Sequence, residues 1–182
     1  MVNVGVVNVV ATSSLGHFID LEKVGELEYV HYDSDIYGGR AAYFKTADMR
    51  GKVILFGSGK MISVGTKSEQ QATDELEKAA QLLATNGLID HVQLEVEIQN
   101  LVATYSFQRS IDLEKLALRF NRVIYEPEQF PGAIVKFNNP PKATALIFAS
   151  GKSVIVGTHN IRELELIVKR ISELIETSHV WR

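Results

Sequence analysis

The sequence predicts an α+β fold made of two copies of one unit related by a pseudo-two-fold axis, with about five strands and two helices in each copy. Three observations carry that expectation. First, three separated blocks recur at a single offset of 92 residues. Asn8-Val9-Val10-Ala11-Thr12 returns as Asn100-Leu101-Val102-Ala103-Thr104, and Ile19-Asp20-Leu21-Glu22-Lys23 returns unchanged as Ile111-Asp112-Leu113-Glu114-Lys115. Phe56-Gly57-Ser58-Gly59-Lys60 returns as Phe148-Ala149-Ser150-Gly151-Lys152. A fixed period marks a duplicated structural unit, and two long copies point to a symmetric body rather than a solenoid. Second, each copy opens on period-two alternation and closes on a helical stripe. Third, residues 88–92 join the copies without a Pro- or Ser-rich spacer. Residues 1–90 and 91–182 are therefore expected to form one continuous domain that shares a sheet. Such a body suits a pseudo-symmetric ligand.

Taken in order, residues 4–12 put Val4, Val6, Asn8, Val10 and Thr12 on one side of a strand and Val7, Val9 and Ala11 on the other. The second copy repeats this with Val96, Ile98, Asn100, Val102 and Thr104. Both sides are largely apolar, so one should pack on helices while the other forms an exposed apolar sheet carrying a single asparagine. A short helix follows over 19–27, with its counterpart over 111–120. The segments 32–39 and 125–132 then align at an offset of 93. Three β runs come next, at 41–46, 52–56 and 61–66 in one copy and at 133–138, 143–148 and 153–158 in the other. Ser58-Gly59-Lys60 and Ser150-Gly151-Lys152 supply the tight turns between the last two runs. In the closing helices, Ser68 and Gln71 have capping-box spacing ahead of Ala72, Leu76, Ala79, Ala80 and Leu83. Asn160 and Glu163 have the same spacing ahead of Ile161, Leu164, Ile167, Val168, Ile171, Leu174 and Ile175. Gly87 is placed to stop the first of these helices.

With 46% hydrophobic and 23% charged residues in 182, the composition is that of an ordinary soluble globule. No apolar run reaches the length of a membrane span, and Met1-Val2-Asn3-Val4 lacks the basic start of a signal peptide. An intracellular protein is expected. The absence of cysteine excludes disulfides, thiolate chemistry and zinc–thiolate sites. A net charge of -3 would argue against nucleic acid if the charge were evenly spread, and it is not. Between residues 40 and 67, Arg40, Lys45, Arg50, Lys52, Lys60 and Lys67 stand against Asp48 alone. Between 130 and 159, Lys136, Lys142 and Lys152 face no acid at all. These are equivalent parts of the two copies, which makes a bipolar molecule with matching basic faces.

Few motifs carry chemistry. Gly151-Lys152-Ser153 resembles the end of a phosphate-binding loop, but that loop needs a glycine where Leu146 stands and a helix where Val154-Ile155-Val156 reads as strand. His17, His31, His91, His159 and His179 show no metal-ligand spacing, and the acids sit at solvating helix positions. No catalytic constellation, metal or cofactor is expected. Asn8 and Asn100 are unusual in strands of valine, since asparagine has low β propensity and its amide needs partners. They are either buried side chains bonded to neighbouring backbone or contacts to a two-fold ligand. Phe56, Phe148, Phe130 and Tyr37 lie at strand ends and loops beside basic residues. There they are core residues or apolar wedges of the kind that enter between base steps.

These residues resemble the TATA-box-binding protein family, in particular its archaeal members, over nearly the whole chain. The most specific stretches are Tyr125-Glu126-Pro127-Glu128-Gln129-Phe130-Pro131-Gly132 and Ala145-Leu146-Ile147-Phe148-Ala149-Ser150-Gly151-Lys152, preceded by Asn100-Leu101-Val102. The resemblance implies a saddle, a curved ten-stranded antiparallel sheet with four helices on its convex face. It also implies a cytoplasmic, nucleoid-associated transcription initiation factor, without enzymatic activity, that binds the minor groove of TATA-box promoter DNA and bends it. Transcription factor B is the implied partner, RNA polymerase an indirect one, with a monomer on DNA and a homodimer when free. Carried over residue by residue, Asn8, Val10, Val64, Asn100, Val102 and Val156 match base-contacting positions. Tyr37, Phe56, Phe130 and Phe148 match the kinking aromatics. Lys45, Arg50, Lys60, Lys67, Lys136, Lys142 and Lys152 match phosphate contacts, and Glu126, Glu128 and Gln129 match the loop that docks transcription factor B.

The chain departs from the family pattern at Tyr37-Gly38-Gly39, where Phe-Pro-Gly or Phe-Ala-Ala is usual. It departs again at Val64 and Val156, where threonine is usual, and at His159, the last basic position of the second copy. These departures suggest a divergent member or paralogue with weaker kinking at the Tyr37 end. The other function compatible with them is a regulatory or structural protein-interaction module on the same fold, with weak or no promoter binding.

Overall fold

The computed structural model describes residues 4–181, with the side chain of Tyr37 outside that description. Ten strands form a ten-stranded antiparallel sheet accompanied by four helices, the α+β composition expected. Contacts divide the chain into two compact units, Asn8–Gln99 and a second whose described part is 4–7 with 100–181. The division falls inside the first strand of each copy.

The first copy runs β1 (Val4–Ser14), α1 (Leu21–Gly25), β2 (Val30–Tyr32), β3 (Ala41–Phe44), β4 (Lys52–Phe56), β5 (Lys60–Thr66) and α2 (Glu69–Thr85). The second runs β6 (Glu97–Ser106), α3 (Leu113–Arg119), β7 (Val123–Ile124), β8 (Gly132–Phe137), β9 (Ala143–Phe148), β10 (Lys152–Thr158) and α4 (Ile161–Ser178). The first copy orders its strands β2-β3-β4-β5-β1, and the second orders its own β7-β8-β9-β10-β6. The duplication seen in the letters is thus a duplication of topology.

Side chains placed by the repeat start every helix. Asp20 and Asp112 cap α1 and α3 by accepting from the N–H groups of Glu22 and Lys115. The Ser68 hydroxyl accepts from Gln71 N at 3.1 Å and the Asn160 carbonyl from Glu163 N at 2.9 Å, as the capping-box spacing predicts. Gln71 and Glu163 then reach back to the N–H groups of Lys67 and His159. Gly87, at φ +71, ends α2 in a Schellman pair, with Leu88 N donating to Leu83 O and Gly87 N to Ala84 O.

In each copy one face of the strands carries the core. Val9, Ala11, Val53, Leu55 and Met61 are fully buried, as are Ala72, Leu76, Ala79 and Leu83 of α2. Leu101, Ala103, Ala145, Ile147 and Ile155 are likewise enclosed, with Leu164, Ile167, Val168, Ile171 and Ile175 of α4. Ile161, assigned to that stripe from its spacing, is instead exposed because it occupies the first turn. Ser63 is completely buried with no partner for its hydroxyl, whereas its register equivalent in the second copy is Ile155. An unpaired buried hydroxyl costs about 1–3 kcal/mol. Ser63→Ala is therefore expected to stabilise the protein by about 1 kcal/mol in urea unfolding, and a loss of stability would contradict this account.

The segments 32–39 and 125–132 do not keep one offset. Val30 opposes Phe44 as Val123 opposes Val135, so these residues are equivalent at a spacing of 93. Ala41 opposes Phe56 as Gly132 opposes Phe148, so those are equivalent at a spacing of only 91. The first copy has two more residues between β2 and β3. Counted forward from β2 the counterpart of Phe130 is Tyr37, and counted back from β3 it is Gly39. A loop without ladder bonds can change length in this way while the strands on either side keep their register.

Candidate nucleic-acid interface

Strand alternation that buries one face leaves a second, half-buried face opposite the helices. In the Asn8–Gln99 unit it comprises Val10, Tyr43, Ile54, Phe56, Ile62 and Val64. In the other unit it comprises Val102, Ile134, Leu146, Phe148, Val154 and Val156. All are intermediate in exposure, none enclosed. The resemblance pointed to Val10, Val64, Val102 and Val156. It did not pick out Ile54, Ile62, Leu146 or Val154, although the same period of two would have found them.

Asn8 and Asn100 sit on this face, half-buried, and each is bonded to neighbouring backbone. Asn8 Oδ1 accepts from Gly65 N at 2.9 Å, and Asn100 Oδ1 accepts from Gly157 N at 2.9 Å. Those N–H groups are available because the strands bulge there. Pairing skips between Val9↔Thr66 and Ala11↔Ser63, and again between Leu101↔Thr158 and Ala103↔Ile155. Gly65 and Gly157 adopt φ +92 and +95, a conformation that glycine reaches at no steric cost. With each carbonyl held, each Nδ2 group is without a partner among the described residues.

The aromatic residues differ between the copies. Phe130 and Phe148 form an edge-to-face pair with centroids 5.8 Å apart. Gly132 makes room for them, since a Cβ there would lie 2.8 Å from Phe130 Cε1 and 3.1 Å from Phe148 Cε1. Phe56 is half-buried with no ring partner among the described residues. The kinking assignment of Tyr37 falls on a side chain outside the described residues. Its backbone lies in a short turn, Tyr37–Gly39, with Gly38 at φ +64 and Gly39 at φ +66.

Two groups of basic residues differ in their partners. Lys23, Lys78, Lys115 and Lys169, all on helices, form ion pairs with acids. Arg50, Lys60, Lys67, Lys136, Lys142 and Lys152, at strand ends and turns, are exposed and make no ion pair among the described residues. Lys45 behaves differently from the phosphate contact expected of it. Its ammonium donates to Met49 O at 2.6 Å, Arg50 O at 2.8 Å and Gly51 O at 2.5 Å, which uses all three protons to hold the 46–51 loop. The one acid of that stretch, Asp48, is paired with Lys78, and this contact with help from Thr46 lowers its pKa to about 2. His159 Nδ1 lies 3.3 Å from Glu163 Oε2.

Glu126, Glu128 and Gln129 are exposed on the 125–131 loop, where Gln129 N and Phe130 N both donate to Glu126 O. Gly151-Lys152-Ser153 is the turn into β10, with Gly151 at φ +82, and not a loop opening a helix. No helix among the described residues is long and apolar enough to cross a membrane.

The sequence matches the family model described as transcription factor TFIID, or TATA-binding protein, twice, over residues 3–86 and 95–178. It is similar to the TATA-box-binding protein of Cenarchaeum symbiosum, at 38% identity over 87% of this chain and 86% of that one. The TATA-box-binding protein of Aeropyrum pernix is 35% identical over 93% of this chain and 82% of its own. The structure is similar to that of Methanococcus jannaschii TBP, with a TM-score of 0.86 and 32% identity, covering 96% and 98% of the two chains.

Proposed function

The chain belongs to the TATA-binding protein family, and from that premise we propose that it is a general transcription initiation factor that binds the minor groove of A·T-rich promoter DNA, bends it and recruits transcription factor B. The observation that carries this reading is the pair of held asparagine amides, each offering a free donor from a half-buried apolar sheet face. The minor groove presents only acceptors at A·T pairs and adds an amino donor at G·C pairs. Donors set among valines and isoleucines satisfy the first and leave the second desolvated and unpaired, so A·T is preferred.

Asn8, Val10, Val64, Asn100, Val102 and Val156 meet the base edges, and Ile54, Ile62, Leu146 and Val154 extend the same surface. Phe56, Phe130 and Phe148 act as wedges between base steps. Arg50, Lys60, Lys67, Lys136, Lys142 and Lys152 take phosphates, and Glu126, Glu128 and Gln129 dock transcription factor B. Lys45 drops out of the phosphate set because its ammonium already serves the loop.

Titration of a TATA duplex and a G·C-substituted duplex between low and physiological salt tests this. If the six residues assigned to phosphate all engage it, log K should fall against log[salt] with a slope of about -5. The TATA duplex should bind at least about tenfold more tightly. No preference together with no salt slope would leave the protein-interaction module as the reading.

A further inference from the structure

We propose that Gly65 and Gly157 are specificity-determining positioning residues, whose backbone N–H groups lock Asn8 and Asn100 as obligate donors and so turn away a guanine amino group. The proposal rests on the minor-groove reading above and concerns how that surface discriminates. An asparagine amide has a donor end and an acceptor end, and a rotation about its last torsion exchanges them. Free to turn, it would give an amino group to an adenine or thymine acceptor and offer its carbonyl to a guanine amine, tolerating both pairs. A turn here would bring the Nδ2 group against Gly65 N or Gly157 N, where Oδ1 now accepts at 2.9 Å. One hydrogen bond would be lost and two donors would face each other.

The lock is built into the backbone of both copies. Each bulge lifts one residue out of the ladder, and at φ +92 or +95 the freed N–H points at the asparagine. A Cβ on Gly65 would come 3.2 Å from Gly51 Cα, and on Gly157 3.5 Å from Ala143 Cα. The residues before the glycines, Val64 and Val156, bring no hydroxyl that could take over the acceptor role. Which end of each asparagine amide faces outward is therefore set by two backbone groups.

The test replaces Gly157 by glycolic acid in the full chain through nonsense suppression, which removes the N–H and keeps the glycine backbone. Binding is measured to a TATA duplex and to duplexes in which single A·T pairs become G·C or inosine·C, inosine lacking the guanine amine. The unaltered protein should bind A·T and inosine·C alike and G·C about tenfold more weakly. The ester protein should lose several-fold of that G·C discrimination. A loss of affinity shared equally by all three duplexes, or an unchanged ratio, overturns the proposal while the minor-groove reading stands. An unaltered protein that does not separate A·T from G·C overturns the reading itself. Should the ester fail to fold, hydrogen exchange of the unaltered protein decides: protected Gly65 and Gly157 amides support the lock, and unprotected ones overturn it.

Discussion

Gly151→Ala is expected to cost the fold about 3 kcal/mol or more, and Gly59→Ala as much, the range reached when backbone strain and steric overlap act together. Gly59 and Gly151 hold φ +84 and +82 in the turns that join β4 to β5 and β9 to β10. A side chain in that conformation costs about 1 kcal/mol. The larger part comes from contact, because a Cβ on Gly59 would fall 2.0 Å from His17 O and one on Gly151 2.1 Å from Arg109 O. Those carbonyls belong to backbone tied to the turns on both sides, with Leu15 N donating to Gly59 O and Ile19 N to Gly57 O in one copy, and Phe107 N to Gly151 O and Ile111 N to Ala149 O in the other. Neither can move without opening the turn. Gly16 is the control, since it shares the conformation at φ +80 but has nothing within 4 Å of its Cβ position. Gly16→Ala should therefore lose only about 1 kcal/mol. For a chain of this size the difference amounts to roughly 4–8 °C in Tm. If Gly151→Ala and Gly16→Ala melt together, the contact argument is wrong. The substitution also reaches function, because these turns carry Lys60 and Lys152 and close the strands that end in Phe56 and Phe148.

What could be read from the letters, and what could not, follows from where the physics is local. β4 and β9 match their expected ranges because alternation runs unbroken up to the glycine or alanine that begins each turn. The caps at Ser68 and Asn160 were legible because a cap is a contact between residues three apart. β2 and β7, of three and two residues, are too short to display a period and exist only by pairing with β3 and β8. The bulges were equally hidden, since Val64-Gly65-Thr66 reads as ordinary strand until its partner shows where the register skips. With the bulge hidden, the two asparagine readings looked like rivals, whereas the bond to backbone is what frees the donor. Glu75 looked like a solvated helix acid, yet it is only 6% exposed and takes the Gly51 N–H at 2.8 Å. Lys45 looked like one basic residue among several, and only its three carbonyl partners set it apart.

Phe148→Ala and Phe130→Ala are each expected to abolish most of the DNA bend that the second copy contributes, and Tyr37→Ala to remove far less. The two rings are one structure. Their edge-to-face contact at 5.8 Å stiffens both by about 0.5–1.5 kcal/mol beyond the area they bury, and Gly132 leaves the space they share. Removing either ring frees the other to fold back, so the double variant should bend DNA little less than either single one, as coupled neighbours do. Gly132→Ala should reproduce much of the loss with both rings present, because its Cβ would enter both. In the first copy Phe56 opposes Ala41 rather than a glycine. The loop between β2 and β3 is two residues longer than the one that carries Phe130, so the first copy does not repeat the setting of that ring. An energy-transfer measurement of end-to-end distance on a labelled duplex reads this directly, with equal losses for Phe148→Ala, Phe130→Ala and Tyr37→Ala refuting the asymmetry. A duplex kinked strongly at one end and weakly at the other is bound in a preferred direction, so the same three variants should differ in how far they randomise orientation.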